Sequence, residues 1–275
     1  MTSYTEEITR WRERQDASLR AEDGWLTLAG LFWLTEGAQR AGADPSCDIV
    51  LPAGAPPVLG GFERTGHEVL FRPVGNALIN GEPAGERVLR SDTPGPPDLL
   101  TFGSFTLLVI ERGERVGLRL RDRDHPARRA FAGRRWFPVD ERYCINARFV
   151  PYQPPRAVAI PTILGDLEEQ FSPGAAVFAI DDREYRLDAT QTRDGGLFFV
   201  FRDATCGKEA YGAGRFLYAS APRNGAVTLD FNQAVNPPCV FTAYATCPLP
   251  PRQNILPVRI EAGEQVASQT SSTHS

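Results

Sequence analysis

The run DLLTFGSFTLLVIERGERVGLRLRD, Asp98 to Asp122, decides the fold class. Two apolar stretches flank Arg112–Glu114, where Gly113 suits a tight turn, and this pattern predicts two strands. Leu118 and Leu120 alternate with Arg119 and Arg121, so the two-residue period of a strand sets both guanidiniums on one face. The same texture holds upstream from Gln39. GADPSCDIVLP (42–52) ends in a short apolar run, GGFERTGHEVLFRP (60–73) alternates Val69 and Phe71, and NALINGEPAGERVL (76–89) turns at Asn80 and Gly81. Short strands between Gly-rich turns predict a β-sandwich or small barrel.

Working outward, residues 5–20 place Ile8, Trp11, Gln15 and Leu19 near helical spacing, with Glu6 and Glu7 where a helix dipole favours acids. Asp23–Gly37, DGWLTLAGLFWLTEG, is too apolar for water and is expected to pack on a sheet. Past Asp122, Pro126 closes any regular element, and Arg128, Arg129, Arg134 and Arg135 form a positive cluster balanced by nearby acids. A second strand-rich region starts near Tyr143. In it REYRLDAT (183–190) and GLFFVFRDAT (196–205) pattern as a hairpin about Asp194–Gly196, and LFFVF as a central strand covered on both sides. From Glu264 the chain turns polar and serine-rich, as a disordered tail would. The expected chain is therefore mainly β. An N-terminal helical and apolar segment covers 1–37, a first β-sandwich 38–125, a second antiparallel β-sandwich or small barrel 126–264, and a tail 265–275.

Composition bounds the function. With 275 residues, 42% hydrophobic and 23% charged, the chain has the makings of a sizeable core and is not disordered throughout. The net charge is -4 and the basic residues are arginines except for Lys208, so no dense basic arm argues for a nucleic-acid partner. No apolar run of about 18 residues occurs, which argues against a membrane span. The opening MTSYTEEITRWRERQ lacks the apolar core of a secretory signal. Five widely spaced cysteines suit free thiols in a reducing cytoplasm better than a disulfide framework.

Candidate chemistry gathers in Tyr211–Pro257. There is no GxSxG elbow, HExxH pair, CxxC pair, Walker loop or dinucleotide fingerprint. In AVTLDFNQA, strand alternation sets Asp230 and Asn232 on one face, where an apolar strand gives way to a proline-fixed loop. Asp230 is the best available base, and Cys247, at a loop edge before Pro248, the best thiol nucleophile. Arg119, Arg121, Arg148 and Arg215, with Asn232, Asn236, Tyr244 and Asn254, would line a site for a small polar anion, since guanidiniums take carboxylate or phosphate oxygens two at a time. Hydrolysis and isomerisation are both open, and so are the cofactor and the oligomeric state. The structural alternative pairs Asp230 with Arg215 and spends the asparagines on turns. Cys206, Cys239 and Cys247 would have to converge on Asp230 to hold a metal, and buried thiols are the plainer expectation. A protein-interaction module built on Trp25, Phe32 and Trp33, or a flavin-holding β-barrel, are the other function classes.

Two resemblances add to this. The order GADPSCDIVLP, LINGE and LLTFGSFTLLVIERG resembles a forkhead-associated β-sandwich, with Asn80 matching that family's loop asparagine. Ala43 stands where the family's arginine would be, and PAGAPPVLGGF replaces its serine and histidine segment, so phosphopeptide binding is not implied. The combination GWLTLAGLFWL, GLRLRD, RRWFPVD, YGAGRFLYA and LDFNQAVNPPCVFTAYATCPLPPRQN resembles the bacterial and archaeal family catalogued as domain of unknown function 1684, over about residues 8–263. That resemblance implies a shared fold and brings no activity, substrate or cofactor.

Overall fold

Residues 2–266 are described by the computed structural model, and they form a mainly β chain led by one long helix, α1 (Tyr4–Arg20). They fall into two compact units. The first comprises residues 18–131 and 241–244; the second holds the residues up to 17, residues 132–240 and those from 245 on. No helix of the described residues is long and apolar enough to cross a membrane.

The first unit contains β1 (Leu28–Trp33), β2 (Gly37–Gly42), β3 (Ile49–Val50), β4 (Gly60–Thr65), β5 (Glu68–Pro73), β6 (Leu78–Ile79), β7 (Glu82–Pro83), β8 (Arg87–Val88), β9 (Leu100–Phe102), β10 (Phe105–Arg112) and β11 (Arg115–Asp122). They make a six-stranded sheet in the order β1-β11-β10-β9-β6-β7 and a five-stranded sheet in the order β3-β2-β4-β5-β8. The β10–β11 hairpin closes with Arg112 opposite Arg115, and Gly113 takes the positive φ of 55° that the turn requires. Leu107, Val109, Leu118 and Leu120 from one sheet meet Phe62, Val69 and Phe71 from the other in a shared core. The apolar segment after Asp23 opens as a 3-10 turn and becomes edge strand β1, with Leu31 opposite Arg119.

The second unit contains β12 (Arg135–Trp136), β13 (Cys144–Pro161), β14 (Leu167–Ile180), β15 (Arg183–Asp188), β16 (Thr190–Gln191), β17 (Leu197–Phe201), β18 (Arg215–Ala219), β19 (Ala226–Asp230) and β20 (Glu264–Gln265). Its sheets run β15-β14-β13-β19 and β16-β17-β18, with β12 paired to β20. LFFVF lies between β16 and β18. Leu197, Phe199 and Phe201 enter the main core, while Phe198 and Val200 join a second cluster, so both faces are covered as expected. Phe231 links the sheets, 5.5 Å from Phe178 and 5.4 Å from Phe201 by ring centroids.

Two features depart from the sequence-based expectation. REYRLD pairs with β14, not with LFFVF; the hairpin about Asp194–Gly196 is the short β16–β17 pair. The chain changes sheets after Asp188, where the buried Asn254 amide accepts from Asp188 N at 2.8 Å and donates to Asp188 O at 2.9 Å and Val200 O at 3.0 Å. Glu264 and Gln265, expected in a disordered tail, form β20 instead, because the Glu264 side chain is buried among polar partners. The rest of that expected tail, from residue 267, lies outside the described residues.

Beneath β17 and β18 lies an ion pair with both side chains fully buried. Arg215 Nη2 donates to Asp203 Oδ1 at 2.9 Å and to Ile260 O at 3.0 Å, and Nη1 donates to Ala262 O. Burial alone would raise the Asp203 pKa, but the Arg215 charge and bonds from Ile260 N and Thr205 overcome it and hold the carboxyl below its ordinary value. Removing one partner leaves an uncompensated buried charge. Asp203→Ala should therefore destabilise the protein by roughly 3–5 kcal/mol in denaturant unfolding; a loss under about 1 kcal/mol would show that the pair is dispensable.

Candidate functional site

In the second unit, the amphipathic face of α1 sets Tyr4, Ile8 and Arg12 one above another with Trp11 beside them. Ile8 is buried, and Trp11 meets Trp136 edge to face at 5.8 Å. Tyr4 donates its hydroxyl hydrogen to Asp230 Oδ1 at 2.8 Å and accepts from Asn232 Nδ2 at 2.9 Å. Asp230 also caps the 3-10 turn Phe231–Gln233, accepting from Asn232 N at 3.1 Å, and its Oδ2 accepts from Gln233 Nε2 at 3.0 Å. Asn232 ties this corner to Asp140 by two backbone bonds, Nδ2 to Asp140 O at 2.8 Å and Asp140 N to Oδ1 at 3.0 Å. Asp230 and Asn232 are thus brought together, and with their hydrogen bonds filled they act as anchors. Burial, then the bond to Asp230, pushes the Tyr4 pKa above its ordinary value, so the phenol keeps its proton.

Arg12 is the unsatisfied member of this group. Its guanidinium lies 4.8 Å over the Trp136 ring. Nε and Nη2 are both buried and have no hydrogen-bond partner among the described residues. Burial lowers the Arg12 pKa, with Tyr4 and Asp230 acting in the opposite direction. The helical spacing of Tyr4, Ile8 and Arg12 was visible in the sequence, yet an arginine beside an apolar stripe ordinarily marks the solvent boundary of a helix.

A second polar feature shares the small cluster in which Trp11 and Trp136 pack. Cys239 and Cys247 both belong to it, with Val200, Phe216, Val235 and Ala245. Cys239 is half-buried and Cys247 buried. A hydrogen bond from Cys247, opposed by burial and helped by the Tyr211 hydroxyl, lowers the Cys239 thiol to about 7. Burial, then the bond to Cys239, pushes Tyr211 up to about 12. Cys206 does not join this pair; its sulfur lies 3.3 Å from Asp203 Oδ1. Burial, then the Asp203 charge, raises Cys206 to about 11. No group of three or more His, Cys, Asp and Glu is placed to hold a metal among the described residues.

The other singled-out residues have separate places. Arg215, expected to touch a ligand or pair with Asp230, is wholly internal and pairs with Asp203, because β18 carries it under the C-terminal segment. Asn254 is the buried sheet-switch amide already described. Asn236 is buried; its N donates to Glu264 Oε2 at 2.8 Å and its Nδ2 to Gln265 O at 3.2 Å. Arg148 reaches Glu184 across the exposed β13–β14–β15 surface at 3.8 Å. Arg119 and Arg121 belong to the first unit, where Arg119 lies 5.6 Å over Trp25. Tyr244, also in the first unit, is exposed, with its N bonded to Thr242 Oγ1 at 3.2 Å.

Residues 129–265 match the family described as "Protein of unknown function (DUF1684)". A solution NMR structure of an uncharacterized protein of Haloarcula marismortui is 28% identical, over 52% of this chain and 82% of that one, with a TM-score of 0.44. No curated protein matches the chain.

One buried acid sits at the edge of the arginine and tryptophan group and gave no sequence signal. Glu264 Oε2 takes Arg134 Nη1 at 2.9 Å and Asn236 N at 2.8 Å. Burial outweighs both and raises its pKa from 4.5 to about 7. A raised folded-state value means that the stability tied to this group is complete below pH 4.5 and is lost as pH rises through about 7. In Glu264→Gln, unfolding free energy measured from pH 4 to 8 should lose this downward component relative to the parent chain; parallel pH profiles would show that Glu264 titrates normally.

Proposed function

We propose that this chain, whose residues 129–265 belong to the family described as protein of unknown function (DUF1684), binds a small polar anion, with Arg12 as the group that holds it. The single observation behind this reading is the buried, unpartnered Nε and Nη2 of Arg12. A guanidinium whose donors are withdrawn from water and left unmade is costly, and a ligand with two adjacent acceptor oxygens supplies the missing bonds in one plane. The Trp136 ring, 4.8 Å from the guanidinium carbon, sits beside these donors without meeting their hydrogen bonds. Trp11 and Trp136 fix the ring, while Tyr4, Asp230 and Asn232 fix the start of the helix that carries Arg12.

The hydrogen bonds that fill Asp230 fit a positioning carboxylate better than a proton-abstracting base. Hydrolysis or isomerisation of the bound anion would need a group brought by the substrate or by the neighbouring thiols.

Tryptophan fluorescence reads the site directly, since Trp136 lies against the guanidinium. Citrate and inorganic phosphate serve as probes, and at least one should give a saturable change. Arg12→Met should weaken that binding roughly ten- to a hundredfold, the loss of about 1.5–3 kcal/mol for hydrogen bonds to a charge. Arg12→Lys, which keeps the charge and loses the planar fork, should fall between. No saturable response to either probe, or equal affinity in folded Arg12→Met, would overturn the reading.

A further inference from the structure

We propose that Cys239 and Cys247 are a redox-active dithiol that reduces a small hydroperoxide and closes to an intramolecular disulfide. This goes beyond anion binding and does not depend on it. Cys239 sits in the 3-10 turn Pro238–Val240, opened by the bond from Val240 N to Pro237 O at 3.0 Å. The preceding residue pair is anchored through Asn236, whose N is held by Glu264. On the other side, Cys247 O accepts from Ile163 N at 3.0 Å, and Pro248 bridges to Thr162, so the β13–β14 turn fixes this sulfur's backbone. Both thiols are therefore carried on pinned backbone, Cys247 within one packed cluster and Cys239 packed against it, and the Cys247 thiol acts on Cys239 to lower its pKa.

Their exposures divide the labour. Cys239 is half-buried, while Cys247 is buried at 4% exposure. The groups acting on Cys239 are the Cys247 thiol, the Tyr211 hydroxyl and its own backbone N–H; Tyr218 lies within the influence of Cys247. These donors lower the Cys239 thiol to about 7, so more of it is thiolate at neutral pH than for an ordinary cysteine. The alternatives within the chain are poorer. Cys206 rests on a carboxylate and is raised to about 11, and Cys144, raised by burial and by Asp230, has an acid as its neighbour.

The chemistry balances without a metal or organic cofactor. The Cys239 thiolate attacks one oxygen of the hydroperoxide; an S–O bond forms, the O–O bond breaks, and the leaving oxygen departs with a proton as water or alcohol. Cys239 is then a sulfenic acid. The Cys247 sulfur attacks it, the S–S bond forms, the S–O bond breaks, and hydroxide leaves as water after taking the Cys247 proton. Two thiols have given two electrons to one hydroperoxide. Return to the dithiol requires exchange with an external thiol, which meets Cys239 first because it is the less buried of the two cysteines.

The test treats the full chain at pH 7 with one equivalent of hydrogen peroxide, blocks remaining thiols by alkylation, and maps peptides by mass spectrometry. The expected product is a 239–247 linked peptide two hydrogens lighter, with Cys47, Cys144 and Cys206 still alkylated. In Cys247→Ser, or Cys247→Ala should the serine variant not fold, Cys239 should stop at a sulfenic acid captured by dimedone. Without peroxide, Cys239 should alkylate roughly tenfold faster than Cys144 at pH 7, with a rate midpoint near pH 7 that moves upward in Tyr211→Phe. Oxidation spread over all five cysteines, a linkage between two chains in place of the internal one, or a Cys239 that over-oxidises without a disulfide in the unmutated protein would each overturn the proposal.

Discussion

The buried Asp203–Arg215 pair is the constraint from which the second unit's functional corner is built. Arg215 reaches out from β18 to the carbonyls of Ile260 and Ala262, and Asp203 takes Ile260 N at 2.9 Å. Together they lay the C-terminal segment along the core. That segment then delivers Glu264, whose N bonds Ala234 O at 2.8 Å and whose carboxyl holds Arg134 and the backbone of Asn236. Opposite Glu264 in the β12–β20 pair stands Trp136, the ring on which Trp11 and Arg12 rest. A charge pair far inside the unit thus decides where an aromatic platform stands. The net worth of such a pair to stability can be small compared with an apolar replacement, but its directional bonds to two carbonyls and one amide specify a path for the chain that apolar packing would leave open.

What was legible in the sequence is what depends on neighbours along the chain. The β10–β11 hairpin follows from Gly113 between two alternating runs, α1 from its 3.6-residue period, and the two-sided burial of LFFVF from the absence of any polar residue within it. Long-range partners were not legible. REYRLD has the alternation of a strand whichever strand it joins, and only the Asn254 amide, 66 residues away, determines that the chain leaves one sheet there and enters another. Glu264 opens a polar run, and its burial is decided by Arg134, a residue 130 positions earlier. Of the candidate site, the polar pair Asp230 and Asn232 was legible as a shared corner. That Tyr4 would fill it, at a separation of 226 residues, was not.

The same division explains why the thiols divide as they do. Sequence position alone marks Cys247, next to Pro248, as the loop-edge nucleophile; in the fold it is the buried member, and Cys239 is the half-buried one. A proline after a cysteine removes one strand hydrogen bond but does not expose the sulfur, because the turn beyond it is taken up by Ile163 and Leu249.

Arg12 lies against Trp136, and the thiol pair shares a packed cluster with Trp11 and Trp136. Cations commonly make a cysteine acidic, and a thiol tuned that way responds to salt and to any anion that neutralises its partner. For Cys239 the lowering comes from two neutral donors, the Cys247 thiol and the Tyr211 hydroxyl, and no arginine is among its causes. Hydrogen bonds to a thiolate act over one contact distance, unlike the longer reach of a charge. An anion held by Arg12 would therefore leave the reactivity of Cys239 unchanged unless it physically reached the sulfur. The two features are joined by shared packing, since Trp136 meets Arg12 and packs against the cluster that holds Cys247.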